Sequence, residues 1–183
     1  MLKESKKNKF YHFYPNIVCV VVSGFENKVN AMPVAWSSGI SSNPRYFGVM
    51  IAKKRFTYKL IQKSNKFSVN FLDWKYLDIV VKLGSTSGET TDKIREFNIP
   101  IEKGKSENMF FIPLSYAVYE CKVIKDDEIG DHNLIIGEIE RVLIDETVFD
   151  DDEKPILKKI KPIFYMGSGE FVKLEVSDSF KEK

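Results

Sequence analysis

N-A-M-P-V-A-W-S-S-G-I-S-S-N-P-R-Y-F-G-V-M-I-A-K-K-R-F-T-Y-K-L, from Asn30 to Leu60, is the stretch that decides the reading of this chain. Its first part, Ala35-Trp36-Ser37-Ser38-Gly39-Ile40-Ser41-Ser42, is small and rich in hydroxyls, and Asn43-Pro44 marks a turn. The apolar run Phe47 to Ala52 then predicts a strand buried on both faces. Lys53-Lys54-Arg55 follow, directly before a helical pattern that starts at Phe56. Serine hydroxyls and backbone N–H groups suit the polar edge of a flat ring. Cations at a helix start, where free N–H groups and the dipole favour negative charge, suit a phosphate. Together the two parts read as a cradle for a mononucleotide.

Working outward, the 183 residues predict one domain over 1–183. With 43% apolar residues and 28 basic against 26 acidic side chains, the chain is neither disordered nor marked for nucleic acid. Apolar runs such as Ile17 to Val22 reach about six residues, whereas a membrane span needs ~20. The basic N-terminus is followed by no long apolar region, so the expectation is a cytoplasmic protein with no membrane partner. Cys19 and Cys121 each lie in a β-branched run and read as small buried apolar side chains.

Ile17 to Val22 predicts a central strand, Gly24 to Lys28 a turn, and Val29 a returning strand that dissolves into the hydroxyl-rich segment. Phe56, Leu60 and Ile61 share a helical face, and Phe67 to Leu72 returns to strand. Asp73 is placed to cap a helix carrying Tyr76, Leu77, Val80 and Val81 as a stripe, with Gly84 ending it. A polar loop from Ser85 to Thr91 leads to a short helix with Ile94 and Phe97, and residues 98–113 read as irregular. Ala117 onward is β again, with Gly130-Asp131-His132-Asn133 as a hairpin turn and Gly137 as a bulge. Asp150 to Glu153 reads as a solvated loop, and the tail from Ser177 as frayed. Many strands, few helices and no G-x-G-x-x-G turn predict a mainly β fold, an antiparallel barrel with a few short α-helices.

The order of these motifs resembles the flavin reductase-like family, whose fold is the FMN-binding split β-barrel with Greek-key-like antiparallel strands and which includes flavoredoxin-like members. The likeness lies in N-A-M-P-V-A-W-S-S-G-I-S, the N-P turn and Arg55-Phe56-Thr57-Tyr58. It returns at Phe67 to Phe71, Ser85 to Phe97, Gly130-Asp131-His132 and Tyr165-Met166-Gly167, covering about residues 12–174. The resemblance implies FMN as cofactor, NAD(P)H as electron donor, a small-molecule acceptor or redox partner protein, and a homodimer. It makes Ala52, Lys53, Lys54, Arg55, Phe56 and Thr57 the phosphate segment, and Ala35, Trp36, Ser37, Ser38 and Ser41 the ring edge. One departure is Gly167-Ser168-Gly169-Glu170-Phe171, where a basic residue and tyrosine are frequent in the family at the last two positions.

Other candidates keep two readings. The cations 53–55 either hold an anion or sit in water, and Trp36 either lies against the flavin or packs in the barrel. Ser85, Ser87 and Lys93 either reach the phosphate or ribityl chain or belong to a capped surface helix. Asn70, an amide among apolar neighbours, satisfies either the cofactor or a backbone carbonyl. His132 either positions the nicotinamide or is turn chemistry beside Asp131. His12 packs with its aromatic neighbours, and Tyr165 either matches the family's aromatic near the pocket or does not. The resemblance thus implies an FMN-dependent NAD(P)H oxidoreductase. A flavoredoxin-like electron carrier fed by a protein partner and a non-redox ligand-binding barrel are the alternatives.

Overall fold

The computed structural model describes residues 2–7 and 11–176. The proposed fraying from Ser177 and the packing of His12 against Phe10 therefore fall at least partly outside the described residues. Twelve strands are formed among them: β1 Asn16–Ile17, β2 Cys19–Phe25, β3 Lys28–Val34, β4 Ser37–Ser42, β5 Arg45–Ile51, β6 Lys66–Phe71, β7 Glu102–Lys103, β8 Phe110–Phe111, β9 Ala117–Ile129, β10 His132–Ile144, β11 Ile163–Gly167 and β12 Glu170–Lys173. Three α-helices join them, α1 Phe56–Ser64, α2 Leu77–Ser85 and α3 Lys93–Glu96.

Seven strands form one antiparallel sheet in the order β3-β2-β6-β9-β10-β5-β4. Its two edge strands are consecutive in the chain. Laid flat, six inter-strand spacings of about 4.8 Å would hold the edges roughly 29 Å apart. From Val34 to Ser37 the backbone reaches only about 10 Å. The sheet must therefore curl into a barrel, with Ala35 and Trp36 crossing the seam. Two bonds hold the crossing: the Asn16 amide donates to the Ala35 carbonyl at 3.0 Å, and the Met50 N–H donates to the Trp36 carbonyl at 2.9 Å. This is the mainly β split barrel that the motif order implies.

Alternation along β2 divides the core. Cys19 and Val21 point into the barrel with Val49, Ile51, Phe67, Val69, Cys121 and Ile135. Val20 and Val22 point outward, under Val80 and Leu83 of α2, Ile112 and Ile163. The strand is thus buried on both faces, as the apolar run predicts. Its start is displaced, because Val18 leaves the ladder to donate to the Ile163 carbonyl at 2.9 Å. Gly137 lies at a register shift of β10, where an added Cβ would come within 2.7 Å of both Cys121 and Phe67.

Several local readings change. Ser37 to Ser42 is an edge strand hydrogen-bonded to β5, with a register shift between Gly39 and Ser41, and not a dissolving loop. Gly84 does not end α2; the helix runs on to Ser85, and the missing side chain admits Pro33, whose ring would lie 3.0 Å from a Cβ there. Asp73 caps a 3-10 turn at Trp74–Tyr76 before the helix, and Val81 faces outward. Residues 98–113 include the small β7–β8 ladder.

Candidate functional site

A cleft runs along the barrel seam in three lobes that meet at Arg55. The first, of about 490 Å³, lies between β3, β5 and α2. Its buried floor is Val18, Val34, Ile51 and Val80; Tyr14, Trp36, His132 and Tyr165 stand half-buried around it. The second, of about 280 Å³, opens at the N-terminus of α1 and is lined by Asn30, Lys54, Thr57, Ser87, Gly88 and Lys93, among others. The third, of about 380 Å³, lies between Lys53, Lys54 and the β9–β10 turn. Volumes of ~300–1,000 Å³ are those of small-molecule sites.

The second lobe has the chemistry of an anion seat. Lys54, Arg55 and Lys93 line it, and its lining among the described residues includes no carboxylate. Arg55 stands at the N-cap of α1 without making a capping bond, so the first-turn N–H groups have no side-chain cap. Thr57 is fully buried, and its hydroxyl accepts from the Asn30 amide at 2.7 Å, which leaves its own hydrogen to donate. Lys93 is only 3% exposed and its ammonium donates to the Leu83 carbonyl at 2.8 Å. Burial, with the Arg55 charge second, pushes Lys93 down to about 8. Two cations held together in a half-dry site call for a bound anion.

Around the first lobe the rings touch one another. The Trp36 indole N–H donates to the Tyr14 hydroxyl at 2.8 Å, and its ring lies 4.8 Å from that of His132. The Tyr14 and Tyr165 rings are 6.0 Å apart, and the Tyr165 hydroxyl accepts from the Gly169 N–H at 3.0 Å. His132 Nδ1 is 2.7 Å from the Asp131 carboxylate. That hydrogen bond, then the histidine charge, holds Asp131 below the usual carboxylate range.

The fold gathers Ala35, Trp36, Ala52, Arg55, Ser85, His132 and Tyr165 around the first lobe, and Lys54, Phe56, Thr57, Ser87 and Lys93 around the second. Lys53 lines the third and is paired with Glu128. Four candidates lie outside the cleft lining. Ser37, Ser38 and Ser41 sit along the edge strand; Ser37 accepts the Cys19 thiol and Ser38 donates to the Gly39 carbonyl. Asn70 is fully buried, donates to the Val20 carbonyl and Ser68 hydroxyl, and accepts from the Ile112 N–H at 2.8 Å. Its amide is consumed by the protein, as the backbone-carbonyl reading had it. Both cysteines are free and buried, with burial pushing Cys19 up to about 12. The sequence reading did not name Tyr14, Asn30, Met32, Pro33, Val81, Gly84 and Gly88 as site residues. Asn30 and Gly88 carried a signal, an amide in an apolar run and a glycine in a hydroxyl-rich loop; a Cβ on Gly88 would strike Asn30 Oδ1 at 2.5 Å.

Comparison with known proteins agrees with this architecture. Residues 10–170 match the flavin reductase like domain family. An uncharacterized protein of Archaeoglobus fulgidus is 33% identical over 132 residues, 72% of this chain and 74% of that one. A ferric-chelate reductase (NAD(P)H) of the same organism is 25% identical over 125 residues, 67% of this chain and 73% of that one. The crystal structure of an FMN-binding protein from Thermus thermophilus with bound 1-cyclohex-2-enone superposes with a TM-score of 0.86 at 31% identity, covering 100% of this chain and 98% of that one.

Replacing Lys93 by methionine removes the buried charge while keeping the length of the side chain. The ligand-free Lys93→Met protein is expected to be more stable at pH 7 by about 1–2 kcal/mol, the desolvation cost less one lost hydrogen bond. Thermal denaturation after exhaustive dialysis measures this; a destabilised variant would mean that the ammonium serves the fold. With a family match over residues 10–170 and the seam-crossing barrel in place, the chain belongs to the flavin reductase-like family of split-barrel proteins.

Proposed function

We propose that the cleft binds FMN, with the phosphate in the cationic lobe and the ring in the apolar one, and that the protein is an oxidoreductase drawing electrons from NAD(P)H. The observation that carries this reading is the joining of the two lobes: a seat lined by three cations and, among the described residues, no carboxylate opens into a largely apolar cavity of about 490 Å³. A tailed ring with an anionic end fits that division. The FMN-binding Thermus relative and the NAD(P)H-dependent Archaeoglobus relative support the choice of cofactor and donor.

FMN, when bound, supplies the two-electron chemistry; the chain supplies binding, orientation and a dry surface. Arg55, Lys54 and Lys93 neutralise the phosphate, the Thr57 hydroxyl donates to it, and Asn30 orients that hydroxyl. Ser85 and Ser87 stand where the ring cavity meets the phosphate seat. Val18, Val34, Ile51 and Val80 keep water from the ring's inner face. His132, fixed by Asp131, positions an incoming nicotinamide, because hydride transfer needs both rings held at reacting distance. A second copy of the chain covers the outer face of β4, β5 and β10, where Ile40 is 47% exposed and Met50, Leu134 and Ile136 are half-buried.

The visible absorption spectrum of the purified protein, followed by addition of NADH or NADPH, tests the proposal. A flavin spectrum bleached by either nucleotide supports it. A stable flavin spectrum unaffected by both favours a carrier that receives electrons from a protein, and a colourless protein that binds no added FMN ends the flavin reading.

FMN affinity should vary with pH while riboflavin affinity does not. Between about pH 6, where a phosphomonoester becomes a dianion, and about pH 8 it should be flat. Above pH 8 the empty site loses the Lys93 proton, which binding must restore, so affinity should fall by up to tenfold per pH unit. Below pH 6 it should fall because the phosphate loses charge. Fluorescence titration across this range is the measurement; parallel profiles for both ligands would remove Lys93 from the phosphate site.

His132→Ala should retain FMN yet slow flavin reduction by nicotinamide at least tenfold in a stopped-flow experiment, whereas loss of FMN would make the histidine a cofactor ligand. Sedimentation equilibrium should report a dimer, and a monomer at high concentration would leave the β4–β5–β10 face without its partner.

A further inference from the structure

Lys93 stands apart from the other cations of the cleft. Lys53, Lys54 and Arg55 are exposed, whereas Lys93 is only 3% exposed. Its Nζ donates to the Leu83 carbonyl at 2.8 Å, and no second acceptor for it occurs among the described residues. An ammonium has three hydrogens to place, so a buried one with a single partner is poorly satisfied. The neutral amine keeps the same bond to Leu83 and exposes a lone pair.

The surrounding charges favour the neutral form too. The lobe around Lys93 is lined by Lys54 and Arg55 and, among the described residues, by no carboxylate. On α2, Asp78 and Lys82 pair with each other, and Glu89 of the following loop pairs with Lys59 of α1. On α3 itself, Asp92 accepts from the Arg95 N–H, and Arg95 and Glu96 are exposed. β3 contributes the uncharged amide of Asn30. Burial, with the Arg55 charge second, brings Lys93 down to about 8, so at that pH about half of the amine is unprotonated. A desolvated, unprotonated lysine is a nucleophile.

An anion formed at this nitrogen gains partners that the ammonium lacks. Lys54, Arg55, the first-turn N–H groups of α1, which have no side-chain cap, and the Thr57 hydroxyl all belong to the same lobe. Thr57 accepts from Asn30 and has its own hydrogen left to donate.

We propose that Lys93 is a carbon dioxide-binding site: when no phosphate occupies the cationic lobe, its amine adds CO2 and the resulting carbamate takes the phosphate's place. The nitrogen lone pair forms the new N–C bond, one C=O π pair moves onto oxygen, and one amine proton leaves to solvent. No oxidation state changes, and one N–H remains for the Leu83 carbonyl. The lobe of about 280 Å³ has room for the added carboxylate. Carbamate and phosphate need the same cations and exclude one another, which makes occupancy of the seat sensitive to CO2. The inference does not rest on the flavin reading, because any phosphomonoester, or phosphate itself, is the competitor.

The test equilibrates ligand-free wild type, Lys93→Met and Lys93→Arg with isotopically labelled CO2 at about pH 8 and reads the carbamate carbon by NMR. Arginine keeps the positive charge but does not give up its proton, so it cannot react. The wild type should show a resonance that both variants lack; resonances common to all three proteins belong to other amines. At about pH 6 and the same CO2 pressure, roughly one amine in a hundred is free, and the resonance should vanish. Inorganic phosphate should displace it at pH 8. In calorimetric titration, CO2 should weaken phosphate binding to the wild type by roughly threefold or more, and leave the affinity of Lys93→Arg where it was.

A wild type without the resonance overturns the proposal, as does a resonance that survives in Lys93→Arg or resists saturating phosphate. An equal loss of phosphate affinity in wild type and Lys93→Arg makes bicarbonate a competing ion only, and overturns it as well. The pH and phosphate arms use wild-type protein and stand if the variants fail to fold. A protein that forms the carbamate but binds no FMN keeps this inference and ends the flavin reading. One that binds FMN and forms no carbamate does the reverse.

Discussion

Chain continuity at Ala35 and Trp36 is the constraint on which the rest of this molecule depends. Two residues join the opposite edges of a seven-stranded sheet, so the sheet has no flat solution. Closure leaves a seam that the ladder of backbone hydrogen bonds does not zip, bridged by the Asn16 amide and the Met50 N–H. The cleft lies along that seam. A fully closed barrel of this size would fill its interior with side chains; here the interior is filled, and the ligand space is displaced to the outside, where helices α1 and α2 pack back against β3.

The seam also brings distant parts of the chain into one electrostatic unit. Arg55 opens α1 directly after β5, and α3 arrives from almost forty residues later to bury Lys93 beside it. Burying an ammonium with one carbonyl partner costs stability that hydrophobic packing elsewhere must offset. Sites that break the rules of stable packing in this way are where function is expected. Asn70 is the contrast within the same fold. It too is a polar group in an apolar strand, yet its donors and acceptor are all met by Val20, Ser68 and Ile112, and it ties β6 to its neighbours.

The polar network along α1 shows how the cleft is framed. Asp126 of β9 accepts from the Tyr58 hydroxyl at 3.0 Å and from the Asn133 amide at 2.6 Å, and Gln62 donates to it as well. Burial, with Asp126 next, pushes the Tyr58 phenol up to about 12, so the network stays intact across neutral pH. Tyr58 follows Thr57, which lines the cationic lobe, and Asn133 follows His132, which lines the apolar one. The two ends of the cleft are thereby fixed relative to one another through a short chain of hydrogen bonds.

What the sequence determined by itself is what local chemistry dictates. Unbroken apolar runs marked β2 and β5 as doubly buried; β2 is so, while Met50 on the outer face of β5 is only half-buried. The period change at Phe56 marked α1, and of the three cations before it Lys54 and Arg55 line the cationic lobe. Order and spacing of the motifs were enough for the family, because they survive where individual residues change. What only the tertiary structure decided is the partner of each polar group, since hydrogen-bond partners such as Asn70 and Ile112 lie 42 positions apart. Ser37, Ser38 and Ser41 looked like ring contacts by composition, but strand pairing with β5 places them along an edge away from the cleft. Tyr14 had no motif at all; it enters the site because β1 and β11 pair beside the seam and carry its ring to Trp36 and Tyr165. A side chain's type is written in the sequence, but the atoms it meets are set by sheet closure, which couples residues too far apart for any local pattern to record.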